Sequence, residues 1–133
     1  KSEFPNLTII GSGDLFEPVD IINKLKISKI DGVQIARGAV GNPWIYKDLI
    51  DVWEGKPVPE PPSMAEQVEI MKKHFDMVSK LYDRKKCVWF FRKFSVRYCR
   101  LHPMRKQVLR SLIAAKTGQE LLDLIDHWYK ESE

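Results

Sequence analysis

The chain has 133 residues, 22 Lys and Arg against 18 Asp and Glu, a formal net charge of +4, and 44% hydrophobic residues. That length suits one modest domain or two small ones, and that hydrophobic share excludes wholesale disorder. No apolar run reaches the roughly eighteen residues that a membrane span needs, and no signal peptide opens the chain, which starts at Lys1 and reads as beginning inside a fold.

Leu7-Thr8-Ile9-Ile10 is a continuous apolar run ending at Gly11-Ser12-Gly13-Asp14. Such a run suits a strand buried on both faces, as in a parallel sheet. Pro18 to Lys26 follows with Val19, Ile22, Leu25 and Lys26 at helical spacing, Pro18 falling where a first-turn residue needs no N–H. Gly32 to Ala36 reads as a second strand that stops at Arg37-Gly38. Asn42-Pro43 opens another helix carrying Trp44, Ile45, Leu49, Ile50 and Trp53. The order strand–helix–strand–helix is a parallel βαβ unit with a trailing helix. Two strands are too few for a sheet covered on both faces, so this segment implies a larger sheet.

Pro57, Pro59, Pro61 and Pro62 make residues 55–62 an extended linker. Everything after it reads as helix. Ser63-Met64-Ala65-Glu66 is a capping-box pattern, followed by Val68, Met71, Phe75, Val78 and Tyr82 on one face. A second helix runs from about Arg84 to Leu101 and breaks at His102-Pro103. A third spans Pro103 to Ala115, and Thr117-Gly118-Gln119-Glu120 caps a fourth. Four helices on short connections predict a small bundle.

Both strands end in small residues just ahead of a helix. Small residues let backbone N–H groups approach an anion, and a helix N-terminus adds a positive dipole end. In (β/α)₈ barrels the loops after the last two strands commonly form a phosphate site. The alternative is a pair of ordinary tight βα turns, with Arg37 tying loop to sheet.

The charge is unevenly spread. Residues 1–63 hold seven basic and nine acidic side chains, residues 64–133 fifteen and nine, and Lys80 to Arg110 eleven and one. On the second helix Lys86, Lys93, Arg97 and Arg100 fall on one face, while Cys87, Phe91, Phe94, Tyr98 and Leu101 form an inward stripe. Arg105, Lys106 and Arg110 extend the positive field. A merely solvated face mixes signs, because like charges at i, i+4 repel. A face without acids points to a polyanion, held mainly through its phosphates.

Cys87 and Cys99, twelve residues apart on one helix, are about 18 Å apart along its axis and cannot bridge within it. Both read as core residues, and a reducing compartment fits them. His74, His102 and His127 lie at no metal-ligand spacing, so no metal is expected.

The run Asp31-Gly32-Val33-Gln34-Ile35-Ala36-Arg37-Gly38-Ala39-Val40-Gly41-Asn42-Pro43-Trp44-Ile45-Tyr46 resembles the D-G-V-M-I-G-R-G-A-x-G-N-P-W-I-F signature of the tRNA-dihydrouridine synthases. Ile10-Gly11-Ser12-Gly13-Asp14-Leu15 resembles their A-N-G-D-I turn. Arg92-Lys93-Phe94, Tyr98 and Leu109-Arg110 resemble their helical-domain pattern R-K-H…W-Y…L-R. The resemblance implies an α/β segment followed by an all-α one: the last βα units of a (β/α)₈ TIM barrel over residues 1–54, the linker, and a four-helix tRNA-binding domain over 63–133. It implies FMN, with its phosphate on Ser12, Gly13, Asp14, Ala36, Arg37 and Gly38, and NADPH as reductant. It implies tRNA as partner and a cytoplasmic location, and together with the cationic face it assigns the grip to Lys86, Arg92, Lys93, Arg97, Arg100, Arg105, Lys106 and Arg110. The family's proton-donating cysteine matches no position here, so no catalytic residue is assigned and this chain alone is expected to be inactive. Three positions depart from the family: Ser12 stands for Asn, Ala36 for Gly, and Phe94 for the His of R-K-H.

Two other readings compete. Another FMN barrel oxidoreductase would share the phosphate turns but has no need of a basic bundle. A non-catalytic tRNA-binding module would keep the bundle and treat residues 1–54 as a remnant. The oligomeric state is not legible, although an incomplete sheet offers an edge through which chains could pair.

Overall fold

The computed structural model describes residues 1–130. It divides into two compact units, Lys1–Glu60 and Pro61–Glu133. The last three residues of the expected helical domain, 131–133, lie outside the described residues.

The first unit holds β1 (Ile10–Gly11), α1 (Pro18–Ser28), β2 (Gly32–Val33) and α2 (Ile45–Trp53). The strands pair in parallel, Ile10 against Gly32 and Gly11 against Val33. Both are shorter than the expected Leu7–Ile10 and Gly32–Ala36. They are also not buried on both faces, since Leu7 and Ile10 are 58% and 57% exposed. A pair of strands has no third strand to extend its ladder or cover its outer edge, so regular pairing ends after two residues. The Asp31 carboxylate reinforces the start of the pair by accepting the Ile9 N–H at 2.9 Å and the Lys1 ammonium at 2.7 Å. The hydrogen bond from Lys1, then that from Ile9, holds this carboxyl below its ordinary pKa.

Pro18 opens α1 in the first turn, as its fixed φ favours. The helix closes at Lys29, whose left-handed backbone (φ 54°) turns its N–H onto the Leu25 carbonyl at 3.1 Å. Helix α2 starts at Ile45 rather than at Asn42. Pro43 restricts the residue before it and supplies no N–H, so residues 42–44 form a turn instead. Leu15, Ile21 and Ile45 form the buried centre of this unit, with Val33, Ile35, Ala39 and Leu49 packed around them.

The second unit contains α3 (Met64–Leu81), α4 (Arg84–Tyr98), a 3₁₀ turn (Cys99–Leu101), α5 (Arg105–Ala114) and α6 (Gly118–Trp128). The Ser63 box forms in full: its hydroxyl accepts the Glu66 N–H at 3.2 Å, and Glu66 accepts the Ser63 N–H at 2.8 Å. The Thr117 pattern forms half a box. Thr117 accepts the Glu120 N–H at 3.1 Å, but the Glu120 carboxylate takes the N–H of Lys116, one residue further out. Helix α5 starts two residues later than expected because His102 organises the corner before it. Its Nδ1 accepts the Met104 N–H at 3.0 Å, which leaves Nε2 as the protonated nitrogen facing the Trp128 carbonyl at 2.9 Å.

These four helices share one core, built from Met71, Phe75 and Val78 of α3, Val88 and Phe91 of α4, Val108 and Leu112 of α5, and Leu121 and Ile125 of α6. Each such side chain fully buried contributes about 1.5–3 kcal/mol by leaving water. Cys87 and Cys99 belong to the same core and are free thiols. Burial pushes the Cys99 thiol up to about 11 and the Tyr98 hydroxyl up to about 12, so both stay protonated at neutral pH.

His74 sits half-buried among Phe91, Phe94 and Tyr98, with Nδ1 3.1 Å from the Tyr98 hydroxyl. Burial lowers its pKa below the ordinary 6.5. The unfolded chain therefore takes up a proton near pH 6.5 that the fold resists, and stability is lost as pH falls through the native pKa. Thermal unfolding followed between about pH 7 and 5 should show the midpoint falling, and His74→Phe should flatten that slope. An unchanged slope in the variant would remove His74 as the cause.

Candidate functional site

Parallel strands send their following loops to the same end of a sheet, and here the two loops meet. Ser12, Gly13, Asp14, Ala36, Arg37 and Gly38 line one open cleft of about 300 Å³, together with Leu15, Phe16 and Gln34. Gly38 is buried, and the other five are exposed. A Cβ added at Gly38 would collide with the Leu15 carbonyl, so only glycine lets the second loop lie this close to the first. Gly13 has φ 139° and Asp14 φ 39°, a pair of positive-φ residues that folds the first loop back on itself. The N–H groups of Gly13, Asp14 and Gly38 take part in no backbone–backbone hydrogen bond among the described residues.

Arg37 reaches across the cleft mouth to Asp14, its guanidinium 2.5 Å from the carboxylate. With the side chains 68% and 72% exposed, this pair contributes about 0–1 kcal/mol, so it holds Arg37 in place at little cost to exchange. Arg37 therefore ties one loop to the other, not loop to sheet, and stands at the rim of the cleft.

In the helical unit, Lys86, Lys93, Arg100, Arg105, Lys106 and Arg110 are exposed and Arg97 is half-exposed. Arg92 stands apart from them. It is half-buried and donates from Nη2 to the Ala115 carbonyl, which ties α4 to the end of α5, and its Nε is buried without a partner. Phe94, where the resemblance leads one to expect a histidine, packs edge-on against His74 with ring centroids 4.6 Å apart. Asp83 is the one acid between Lys80 and Arg110. Its carboxylate accepts the Lys85 and Lys86 N–H groups as the N-cap of α4. Among the described residues no cluster of three His, Cys, Asp or Glu could hold a metal ion, and no helix is long and apolar enough to cross a membrane.

Residues 1–132 match the family model described as dihydrouridine synthase (Dus). The chain belongs to the dihydrouridine synthase family. It is 28% identical over 121 residues to a probable tRNA-dihydrouridine synthase of Mycobacterium leprae, covering 91% of this chain and 32% of that protein. It is 26% identical over 125 residues to tRNA-dihydrouridine synthase B of Proteus vulgaris, covering 94% of this chain and 39% of that protein. A probable tRNA-dihydrouridine synthase of Rickettsia prowazekii is 31% identical over 97 residues, 72% of this chain and 29% of that protein. The chain thus spans about a third of the length of the curated relatives it matches.

Within this chain, sequence reasoning passed over Leu15, Phe16 and Gln34 as lining of the cleft. Gln34 carried a signal, since it lies two residues before Ala36 and so on the same side of an extended segment. Trp89 was also passed over. It is exposed on α4, with the Lys93 ammonium 3.9 Å from its ring centroid. Its spacing of four residues from Lys93 placed it on the cationic face from the outset.

Gly38→Ala should drive the loops apart or strain both, costing about 1–3 kcal/mol as an overpacking change. Thermal unfolding of the two proteins measures it. Equal midpoints would mean that the loops separate freely and that their close approach is not required by the fold.

Proposed function

We propose that the chain is part of an FMN-dependent tRNA-dihydrouridine synthase, a cytoplasmic enzyme that reduces uridine in tRNA to 5,6-dihydrouridine with NADPH as reductant. In this reading Lys1–Glu60 supplies part of the flavin phosphate site at the end of a TIM barrel, and Pro61–Glu133 grips the tRNA. The observation that carries it is the acid-free cationic face of α4 in a chain that belongs to this family.

The cleft residues fit a phosphate monoester. Ser12 offers a hydroxyl, Gly13 and Gly38 offer backbone N–H groups unshielded by a side chain, Ala36 adds only a methyl, and Arg37 offers charge already held at the rim. Asp14 would hold Arg37 in position until the phosphate takes over the guanidinium, then turn to solvent or to a flavin hydroxyl. FMN, when bound, supplies the hydride that reduces the C5=C6 bond of uridine. The chain's own residues would bind and orient, and no position matches the family's catalytic cysteine: Cys87 and Cys99 are both buried in the core of the helical unit.

On the helical unit, Lys86, Lys93, Arg97, Arg100, Arg105, Lys106 and Arg110 would contact phosphates of the tRNA. Arg92 contributes indirectly by anchoring α4 against α5. Contacts of this kind recognise shape and position more than sequence.

The test is binding of the chain to unmodified bulk tRNA across a salt series. Affinity should fall steeply as salt rises, and changing Lys93, Arg97 and Arg100 to Glu should abolish binding while helicity is retained. Neutral Gln at the same three positions should reduce the slope of log affinity against log salt by about 2–3, since each released phosphate contact contributes about 0.7–0.9. Unchanged binding in the Glu variant would overturn the assignment of the surface. The flavin part has its own readout: the intact gene product should purify yellow, and a colourless product without flavin would favour the non-catalytic RNA-binding reading.

A further inference from the structure

Among the cations on the outer side of α4 stands one large aromatic side chain. Trp89 is 56% exposed and takes no part in the core of the helical unit. Lys93, one turn on, places its ammonium 3.9 Å from the indole centroid, and Lys86 lies 5.3 Å from the neighbouring Tyr82 ring. Val96, two turns from Trp89, is exposed on the same side. Tyr82 and Phe90 are different in kind: they pack against the core, with ring centroids 4.8 Å apart. Among the described residues no core contact accounts for a tryptophan at position 89, and leaving an indole in water forfeits the stabilisation that burial would bring.

The ammonium over the ring restrains the indole and marks its surroundings as positive. The acid nearest in sequence, Asp83, is engaged as a helix cap. The surface therefore offers a restrained π face beside several positive charges. An acidic protein segment would satisfy the charges and leave the indole unmatched. An unpaired nucleotide satisfies both, its base stacking on the ring and its phosphates meeting the cations. We propose that Trp89 is a stacking platform for an unpaired RNA base, with Lys86 and Lys93 holding the phosphates on either side of it. This rests on the reading of the helical unit as an RNA-binding surface and deepens it. Phosphate contacts alone accept any RNA backbone, whereas a stacking platform favours segments whose bases are free, such as loops.

The experiment compares two probes carrying the same number of phosphates: a short oligouridylate and an abasic ribose-phosphate oligomer of equal length. Their affinities for the chain are measured by fluorescence anisotropy across a salt series. Trp89→Ala should weaken oligouridylate binding by about 5- to 150-fold, the range of one lost base–aromatic stack. It should leave abasic binding and both salt slopes unchanged, because no charge is removed. Trp89→Phe should keep most of the affinity. Trp89→Leu, which keeps apolar bulk without a π face, should lose as much as Trp89→Ala. Equal losses on both probes would assign Trp89 a purely structural role, and no loss on either would remove it from the interface. Each of those results overturns the proposal while leaving the RNA-binding surface standing. Failure of the unaltered chain to bind either probe at low salt would overturn both.

Discussion

The helical unit depends on the burial of one side of α4. That helix carries Lys93 and Arg97 four residues apart with no acid between them, and Arg100 follows three residues on in the 3₁₀ turn. Each like-charge pair of this kind destabilises an isolated helix by about 0.2–0.5 kcal/mol. Cys87, Val88, Phe91, Ser95 and Tyr98 are buried on the opposite side, against side chains from α3, α5 and α6. Their burial exceeds the repulsion several-fold, so the core permits a surface that helix chemistry alone would reject. The Asp83 cap and the bond from Arg92 to the Ala115 carbonyl then fix the start of the helix and its position against α5. The backbone that carries the cationic face is thereby fixed at both of these points.

The first unit solves a different problem with smaller means. Its two strands pair over two residues each, too few to position a ligand by sheet rigidity. The two loops are instead fixed against one another, by the absence of a side chain at Gly38 and by the ion pair between Asp14 and Arg37. The steric contact is permanent and the ion pair is exchangeable. The cleft thus keeps its shape even where the guanidinium at its mouth is exchanged.

Much of this was legible in the sequence because it rests on local chemistry. The Ser63 box, the proline break at His102-Pro103 and the strand–helix–strand–helix order each follow from residues within a few positions of one another. The six residues expected at the phosphate turns all line the same cleft. What was not legible depends on partners distant in sequence. The strands read as longer and more buried than they are, because apolar content records what a strand is suited to and not how many neighbours it has. Arg92 read as one more cation in a basic run, yet its guanidinium meets a carbonyl 23 residues away. Only the folded bundle separates it from Lys93, its neighbour in sequence.

Lys93 and Trp89 show how far composition alone misleads about a surface. Counted by type, α4 is a basic helix with several aromatics, and aromatics at helical spacing belong to a core more often than not. Phe91 and Tyr98 follow that rule, while Trp89 lies on the opposite side, under the Lys93 ammonium. An indole so placed extends the apolar surface into the charged face instead of closing it off. Charge and π surface become neighbours on one helix, and a ligand must offer both to use the whole of it. The thiols of the same unit are, by contrast, buried in its core.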